Sequence, residues 1–240
     1  MDTEAGRPWP RILIKVSGEA LMGESPFGID PRTVNRIAEE VAEVVAGGIE
    51  VCLVVGGGNF LRGAQQGGWA DRVTGDHMGM LATVMNCLAM GNALRARGVP
   101  ATVLSAIPVP TVCESFTQRH ALQYLVSGNV VLFAGGTGNP FFTTDTGAAL
   151  RAAEMKCAAL LKGTQVDGVY DADPHKHPDA RRFDTLTHQE ALERNLGVMD
   201  ATAIALARDN RIPIIVFSIK EPGALVEVAR GRGTATIVTS

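Results

Sequence analysis

The sequence predicts an α/β protein with a mainly parallel sheet. Strand-like apolar runs alternate with helical segments from Arg11 to the end of the chain, and this alternation is typical of helices crossing over a parallel sheet. Glycine is in excess, at 27 of 240 residues, and it clusters directly after the strand-like runs. No low-complexity stretch separates two units, so we expect residues 11–240 to form a single domain behind a flexible N-terminal segment, residues 1–10.

Composition narrows the class of protein. Hydrophobic residues make up 46% of the chain and charged residues 20%, a balance typical of a folded, soluble protein. The net charge of −3 lacks the basic excess that phosphate contacts to nucleic acid require. The 4 cysteines form no C-x-x-C pair, which disfavours a disulfide frame or a zinc site. With no membrane-length apolar run and no signal-peptide plan at the N-terminus, we expect no membrane partner and a cytoplasmic location.

The first strand and the first helix carry the clearest signals. Alternate residues of Arg11–Ser17 are apolar, and Lys15 shares the second face with a leucine, so both faces are expected to be buried. Asp30 and Pro31 form an N-cap and first-turn pair, an apolar face of helical period follows, and Gly47 ends the helix.

The remaining elements follow the same alternation. Further strands are predicted at Glu50–Val55, Ala101–Ser105, Asn129–Ala134, Cys157–Lys162 and Ile212–Phe217. Further helices are predicted at Gly75–Arg97, Thr117–Val126, Thr146–Met155, His188–Glu193, Asp200–Asp209 and Gly223–Ala229.

Four strands are predicted to end directly in glycine-bearing turns. These turns are Ser17-Gly18, Gly56-Gly57-Gly58, Gly135-Gly136-Thr137-Gly138 and Lys162-Gly163-Thr164. Open parallel sheets bind ligands beyond the carboxyl ends of their strands, and glycine lets backbone N–H groups approach a phosphate, so these turns predict a phosphate-binding cleft. The spacing does not fit a dinucleotide fingerprint. It also excludes a Walker loop, because Glu24 stands where the lysine must be.

Charged side chains near this predicted edge are candidate phosphate ligands. Lys15 lies near the end of a strand with two apolar faces, where burial is costly without an anion. Arg62 follows the triple glycine by four residues and is able to reach a phosphate held there. Lys162 is a further candidate. Asp76 and Asp145 are expected to cap the helices that follow them, although Asp145 alternatively holds a cationic side chain in place.

The segment Thr137–Thr144 (TGNPFFTT) has an unusual residue composition for a loop between a strand and a helix. Its hydroxyls and amide are able to form hydrogen bonds with a sugar and the edge of a base, and its two adjacent phenylalanines are able to stack on the ring of a base. By contrast, the acidic and histidine residues between Asp171 and Asp179 are interspersed with prolines and are interpreted as a solvated loop rather than a zinc site.

These stretches closely resemble the bacterial uridylate kinases of the amino-acid-kinase superfamily. The glycine turns are shared with kinases of acetylglutamate, carbamate and aspartate. More particular to the uridylate kinases are Gly75-Asp-His-Met-Gly-Met80 and Thr137-Gly-Asn-Pro-Phe-Phe-Thr-Thr-Asp145, joined by Lys15-Val-Ser-Gly-Glu19, Gly56-Gly-Gly-Asn59 with Arg62, Val166-Asp-Gly-Val-Tyr170 with Asp173-Pro174, and Val198-Met-Asp200. Together they span about Arg11 to Pro222.

The resemblance implies a role for each matching residue. Residues implied to bind ATP are Lys15, Val16, Ser17, Gly18, Gly58, Arg62, Thr164, Tyr170 and Asp173. Residues implied to bind UMP are Gly57, Asp76, Thr137, Gly138, Asn139, Pro140, Phe141, Phe142, Thr143 and Thr144. The N-terminal part of the domain would then hold UMP and the C-terminal part ATP.

The resemblance also implies a fold, a reaction and its regulation. The fold is a three-layer αβα sandwich with a twisted, mainly parallel central sheet. The reaction is ATP + UMP to ADP + UDP with Mg²⁺, in pyrimidine nucleotide (CTP) biosynthesis, and no metal ligand can be assigned. Members are usually homohexamers, commonly activated by GTP and inhibited by UTP.

The chemistry of the substrates agrees with the absence of a nucleophile-and-base pair. A phosphate monoester has its second pKa at about 6, so the attacking oxygen of UMP is mostly anionic at neutral pH and needs no general base. The enzyme must supply positioning and positive charge, for which Lys15, Arg62 and Lys162 are the candidates. Asp145 is assigned to orienting Lys15 or the metal shell, and Asp200 to helix capping. Two alternatives remain: a kinase of a small carboxylate or carbamate, and a non-catalytic nucleotide sensor or anion-storage shell.

Overall fold

A mixed β-sheet runs through the middle of the molecule, seen here in a computed structural model that describes residues 9–61, 70–174 and 176–240. Within these residues the sheet has nine strands, in the order β4-β3-β5-β2-β1-β6-β8-β9-β7. Every neighbouring pair is parallel except β8 and β9. The strands are β1 (Arg11–Val16), β2 (Glu50–Val55), β3 (Ala101–Ser105), β4 (Glu114–Ser115), β5 (Val130–Ala134), β6 (Ala159–Thr164), β7 (Thr185–Thr187), β8 (Ile214–Ser218) and β9 (Thr236–Thr239).

Helices connect the strands and cover both faces of the sheet. The α-helices in the described part of the chain are α1 (Pro31–Ala46), α2 (Gly58–Leu61), α3 (Arg72–Arg95), α4 (Gln118–Val126), α5 (Thr144–Glu154), α6 (His188–Glu193), α7 (Ala201–Asp209) and α8 (Ala224–Ala229), and a 3-10 helix covers Gly18–Met22. None of them is both long and apolar enough to cross a membrane.

Two hydrophobic clusters show how the layers are arranged. One joins the even-numbered residues of β1 to buried side chains of α1, α3 and α8. The other joins Leu13 of β1 to buried side chains of α4, α5, α6 and α7. The helices therefore form one layer on each side of the sheet, and the predicted three-layer sandwich with two buried strand faces is confirmed.

Most predicted elements are present, with ends shifted by a few residues. The ranges of β2, β3 and α6 match the predictions, and Asp30 caps α1 by accepting a hydrogen bond from Arg32 N. The short strands β4, β7 and β9, the 3-10 helix and α2 were not predicted. Of the predicted flexible segment, residues 1–8 lie outside the described residues, and Trp9 packs against the core.

β1 lies in the middle of the sheet, and this position determines where the candidate site forms. Its neighbours are β2 on one side and β6 on the other, and all three run in the same direction. Their carboxyl ends therefore meet at one edge, where the chain turns toward the helices. Gly163 departs from the prediction because it lies inside β6, between Val16 and Phe217, where a side chain would lie 3.1 Å from the side chain of Ile219.

Candidate active site

Two lysines stand side by side on adjacent strands at this edge. Lys15 of β1 is directly opposite Lys162 of β6 in the parallel register. Lys15 shares its strand face with Leu13, so both ammonium groups project toward the helix layer that contains α5. Their side chains are only 8% and 14% exposed, so the sheet presents two nearly buried positive charges at one point.

Asp145, in the first turn of α5, lies between the two ammonium groups. Lys15 Nζ is 2.6 Å from Oδ1, and Lys162 Nζ donates to Oδ2 at 2.8 Å. Burial raises the pKa of Asp145, but the two lysines lower it by more, so the pKa of this carboxyl lies below its ordinary value. Lys162 also donates to the carbonyl of Val198 at 2.6 Å. Burial lowers the pKa of Lys162, although Asp145 opposes that effect.

The expectation that Asp145 caps α5 is wrong. The cap is Thr143, whose hydroxyl accepts hydrogen bonds from the backbone N–H groups of Asp145 and Thr146. This frees the Asp145 side chain for the lysines, and the positive end of the helix dipole adds to the environment that favours its ionised form. The alternative prediction, a carboxylate that holds cationic side chains in place, describes the observed contacts.

Asp200 fastens the start of α5 to α7. It caps α7 by accepting from Ala203 N at 3.0 Å, as predicted, and it also accepts from the hydroxyls of Thr143 and Thr146. Because Thr143 and Thr146 flank Asp145 in the chain, this carboxylate fixes the turn that presents Asp145 to the lysines.

Two of the glycine turns are packed against each other. A side chain at Gly18 would lie 2.5 Å from the carbonyl of Gly56 and 2.7 Å from the backbone nitrogen of Gly58, closer than any side-chain carbon can approach. A side chain at Gly57 would lie 2.7 Å from the carbonyl of Gly79 in α3. The turns after β1 and β2 and the second turn of α3 are thus held in contact at positions that only glycine fits.

Buried polar side chains, which the sequence analysis did not identify, form a framework of hydrogen bonds that holds these turns in place. The side chains of Asn59 and Asn86 donate to each other at 2.9 and 2.7 Å, and Asn86 also donates to the carbonyl of Gly56 at 2.6 Å. Thr83 accepts from the backbone N–H of Gly135 at 2.8 Å. Asn86 and Thr83 are polar residues inside an apolar stretch of α3, and that mismatch was a signal that sequence reasoning did not use.

A cavity of about 180 Å³ opens beside the glycine turns. Its floor includes Gly57 and Gly58, and one wall is α3 with Asp76. The lining consists of Gly57, Gly58, Leu61, Gly75, Asp76, Gly79, Met80, Thr83, Gly136, Thr137, Asn139, Phe142, Thr143 and Thr144. Since Thr144 immediately precedes Asp145, the cavity adjoins the lysine pair.

The structure thus gathers most of the residues predicted to bind UMP around one cavity. Gly138, Pro140 and Phe141 belong to the same segment but lie outside the lining. Asp76 is not the cap of α3, because that helix begins earlier and is capped by Asp71, which accepts from Thr74 N at 3.0 Å. The Asp76 carboxylate instead accepts from the backbone N–H of Phe141 at 2.7 Å.

The residues predicted to surround the ATP nucleotide lie at and beyond the end of β6. Thr164 follows Lys162 by two residues in the strand, and its hydroxyl contacts the backbone of Val166. The Tyr170 hydroxyl donates to Asp167 at 2.6 Å. Asp173 is in an exposed turn, 3.6 Å from the ammonium of Lys176. Thr164 is therefore on the strand that neighbours β1 on the side away from β2, and Tyr170 and Asp173 are in the connection that follows it.

Arg62, the other cation predicted at the transfer point, lies outside the described residues. For metal binding, no group of three or more Asp, Glu, His or Cys side chains within residues 9–61, 70–174 and 176–240 is arranged to hold an ion. What the described site offers is a pair of buried ammonium groups with one carboxylate, facing turns of closely packed glycines beside a cavity with hydroxyl, amide and aromatic walls. That combination attracts and orients anions rather than abstracting protons.

Comparison with known proteins gives a consistent result. Residues 10–218 match the model of the amino acid kinase family. The uridylate kinase of Azorhizobium caulinodans is 60% identical over 235 residues, covering 98% of this chain and 99% of that protein. Among solved structures, the UMP kinase of Bacillus anthracis superposes with a TM-score of 0.93 at 36% identity, covering 97% of each chain. The UMP kinase of Ureaplasma parvum gives a TM-score of 0.91 at 40% identity, covering 96% of this chain and 98% of that one.

Proposed function

Because the chain belongs to the amino acid kinase family, and within it to the uridylate kinases, we propose that it transfers a phosphoryl group from ATP to UMP by positioning both phosphates electrostatically, without a general base. The observation that carries the mechanism is the Lys15–Asp145–Lys162 cluster beside the cavity. Two nearly buried ammonium groups suit a transition state whose charge is spread over several phosphate oxygens.

Asp145 is a poor general base in this setting. A base works best when its pKa lies near the operating pH, whereas the lysines hold the pKa of this carboxyl below its ordinary value. UMP needs no base, since its phosphate has a second pKa of about 6 and is already mostly dianionic at pH 7. Asp145 therefore holds the ammonium groups in place, and the attacking oxygen is supplied by the substrate.

The two nucleotides are assigned to opposite sides of β1. UMP fits the cavity, where Thr137 and Asn139 offer polar atoms for its sugar and base, and Gly57 offers backbone close to its phosphate. The ATP phosphates are assigned to the turn from Lys15 to Gly18, with the nucleoside toward Thr164 and Tyr170. The γ-phosphate would then face UMP across the lysine pair, in the arrangement that direct in-line transfer requires.

The donor set near the site fits a metal that arrives with ATP. Mg²⁺ is usually held by substrate phosphates, waters and one or two carboxylates rather than by a full protein cage, and the described residues form no such cage. When bound, the ion would neutralise charge on the β- and γ-phosphates. The lysines would neutralise the remaining phosphate charge from the protein side.

A nucleotide panel with active-site variants tests the proposal. We expect ADP and UDP to form with UMP and ATP, and turnover to be far lower with CMP, acetylglutamate, aspartate or carbamate. Lys15→Ala and Arg62→Ala should each reduce kcat by roughly 10²-fold or more, the scale for loss of one preorganised charge. The matched control is Lys156→Ala, because Lys156 is exposed at the opposite end of α5 from Asp145 and should leave kcat unchanged.

Three outcomes would contradict the proposal. Binding of UMP and ATP without UDP formation would establish the nucleotide sensor instead. Preference for a small acid would establish the other kinase class. Near-full activity in both Lys15→Ala and Arg62→Ala would remove the electrostatic mechanism while leaving the reaction in place.

We also propose a homohexameric assembly that responds to GTP as activator and UTP as inhibitor, as the family resemblance implies. The exposed apolar side chains of Leu81 and Met85 on α3 support assembly. Initial rates at fixed UMP and ATP, with GTP or UTP added separately, test the regulation; unchanged rates with both would contradict it.

A further inference from the structure

Arg72, in the first turn of α3, lies at the rim of the cavity. It contacts Asp76 and Phe141, two residues that were predicted to bind UMP. Its Nε atom is 2.7 Å from Oδ2 of Asp76, one helical turn later. Its guanidinium carbon is 5.6 Å from the centre of the Phe141 ring, within the range of a cation–π contact. The same Asp76 oxygen accepts the backbone N–H of Phe141 at 2.7 Å. Arg72, Asp76 and Phe141 thus form a closed triangle, called here the rim triad.

The rim triad holds the backbone of Phe141 in an unfavourable conformation. Its φ angle is +72°, a left-handed conformation that is unfavourable for a bulky L-residue and persists only where the surroundings impose it. The Phe141 ring is 66% exposed, so core packing does not impose it. Two contacts within the rim triad do hold this residue: its backbone N–H donates to Asp76, and its ring lies beside the Arg72 guanidinium.

Phe141 sits in the middle of the segment that forms one wall of the cavity. Asn139 precedes it by two residues, and Phe142 follows it; both line the cavity. A residue that fixes the backbone at Phe141 therefore fixes the direction in which its neighbours on either side project. Arg72 itself is not part of the lining, so its influence on a bound ligand passes through Asp76 and Phe141.

We propose that Arg72 is a positioning residue for the nucleoside monophosphate. It orients the Asp76 carboxylate and, through the Phe141 ring, keeps the wall segment in its strained, binding-ready conformation. The inference rests on the proposed assignment of the cavity to UMP. The Arg72 side chain is 48% exposed, and without it Asp76 still accepts the backbone N–H of Phe141, so loss of Arg72 should weaken UMP binding without unfolding the protein.

Steady-state kinetics of Arg72→Ala, Arg72→Lys, Phe141→Ala and the double variant test the proposal. We expect Arg72→Ala to raise KM for UMP roughly tenfold, with kcat and KM for ATP changed less than about twofold, the signature of lost substrate binding. Arg72→Lys keeps a charge for Asp76 but lacks the planar guanidinium, so its KM should be intermediate. The double variant should resemble the worse single variant, because both changes break the same contact.

The control is Arg208→Ala, an exposed arginine on α7 that pairs with its neighbour Asp209; its KM for UMP should match the parent. The melting temperatures of all variants should agree within a few degrees. An unchanged KM for UMP in Arg72→Ala, or strictly additive effects in the double variant, would overturn the role of Arg72.

Asp76→Ala and Thr137→Val separate this failure from failure of the proposed function. If these two variants raise KM for UMP while Arg72→Ala does not, only the inference about Arg72 is wrong. If neither of them changes KM for UMP, the cavity does not hold UMP, and both proposals fall together.

Discussion

A single carboxylate organises the charged centre of the site. Asp145 is placed between Lys15 and Lys162 by the parallel register of β1 and β6 and by the cap of α5. Without it, two ammonium groups would be buried side by side and would repel each other. Because burial of a charge is tolerated only with a partner, the carboxylate allows the enzyme to keep two positive charges together before any phosphate arrives.

Asp145→Asn should therefore damage both stability and turnover. The amide removes the carboxylate that pairs with both buried ammonium groups, which we expect to cost about 3–5 kcal/mol of unfolding free energy. The lysines also lose their fixed positions, so kcat should fall by roughly 10²-fold. Urea unfolding and saturating-substrate kinetics measure the two effects. The control is Asp179→Asn, at an exposed loop position, which should change neither stability nor turnover. Turnover within threefold of the parent in Asp145→Asn would refute the role of Asp145 in holding the lysines.

The pKa of Asp145 also fixes the sign of its pH dependence. Since its folded pKa is below the ordinary value, its stabilising effect is complete above the ordinary pKa and is lost as the pH falls through the lower, folded value. The loss of activity between pH 7 and 5 should therefore follow protonation of UMP, not of Asp145.

Residue types predicted which side chains belong to the site better than they predicted which residues cap the helices. Lys15 was identified because a charged residue in a strand with two apolar faces is rare, whereas Lys162 was only a further candidate and Asp145 was expected either to cap a helix or to hold a cationic side chain. The cap of α5 was misassigned because three candidate capping residues follow one another in Thr143-Thr144-Asp145, and type alone does not select among them. Asp76 was misassigned because the helix was predicted to begin at Gly75, whereas it begins at Arg72 and is capped by Asp71.

At the scale of elements, the long strands and helices were predictable and the short ones were not. β1, β2, β3 and β5 have runs of buried apolar residues long enough to show a strand pattern. β4 has two residues and β7 three, too few to show any period. β9 alternates buried and exposed residues, and only its partners in the sheet, which lie far away in sequence, define it.

The polar framework under the glycine turns shows what pattern reading misses. Asn59, Asn86 and Thr83 are buried, and each has hydrogen bonds to another element or turn. Such bonds join residues from separate elements, so their geometry appears only when the fold is known. They hold the backbone of the glycine turns beside the cavity in place.

The contact between the turns after β1 and β2 should be sensitive to one methyl group. In Gly18→Ala the new carbon would lie 2.5 Å from the Gly56 carbonyl and 2.6 Å from the Asn59 amide oxygen, so one turn must move. We expect kcat/KM for both nucleotides to fall by roughly 10²-fold, since misplacement of about 1 Å is enough for that loss. Kinetics with each substrate varied in turn measures it.

Gly197→Ala is the matched control for that substitution. Gly197 is in a turn, its φ is not positive, and a side chain there meets nothing within 4 Å, so its kinetics should equal those of the parent. Comparable activity of Gly18→Ala and Gly197→Ala would show that close packing of the turns is not needed for catalysis.

At the scale of the whole molecule, the strand order separates the cavity from the residues assigned to ATP. β2 and β5 lie on one side of β1 and contribute the turns that line the cavity, whereas β6 and β8 lie on the other side with the residues assigned to ATP. The connection that crosses from one half to the other runs through α5, which carries Asp145. Under the proposed assignment one sheet would hold both nucleotides, with the charged cluster at the point where its two halves meet.

The outer surface of α3 predicts that this unit does not act alone. Leu81 and Met85 are one turn apart on the exposed side of the helix, each nearly half exposed, and exposed apolar side chains grouped on one face are typical of an interface. We expect light scattering to give a mass several times that of one chain, and Leu81→Arg to reduce it, because burying an unpaired charge costs several kcal/mol. Val126→Arg, at a more exposed apolar residue on α4, should leave the mass unchanged. A monomeric parent protein, or an assembly unaffected by Leu81→Arg, would show that this face of α3 does not hold the subunits together.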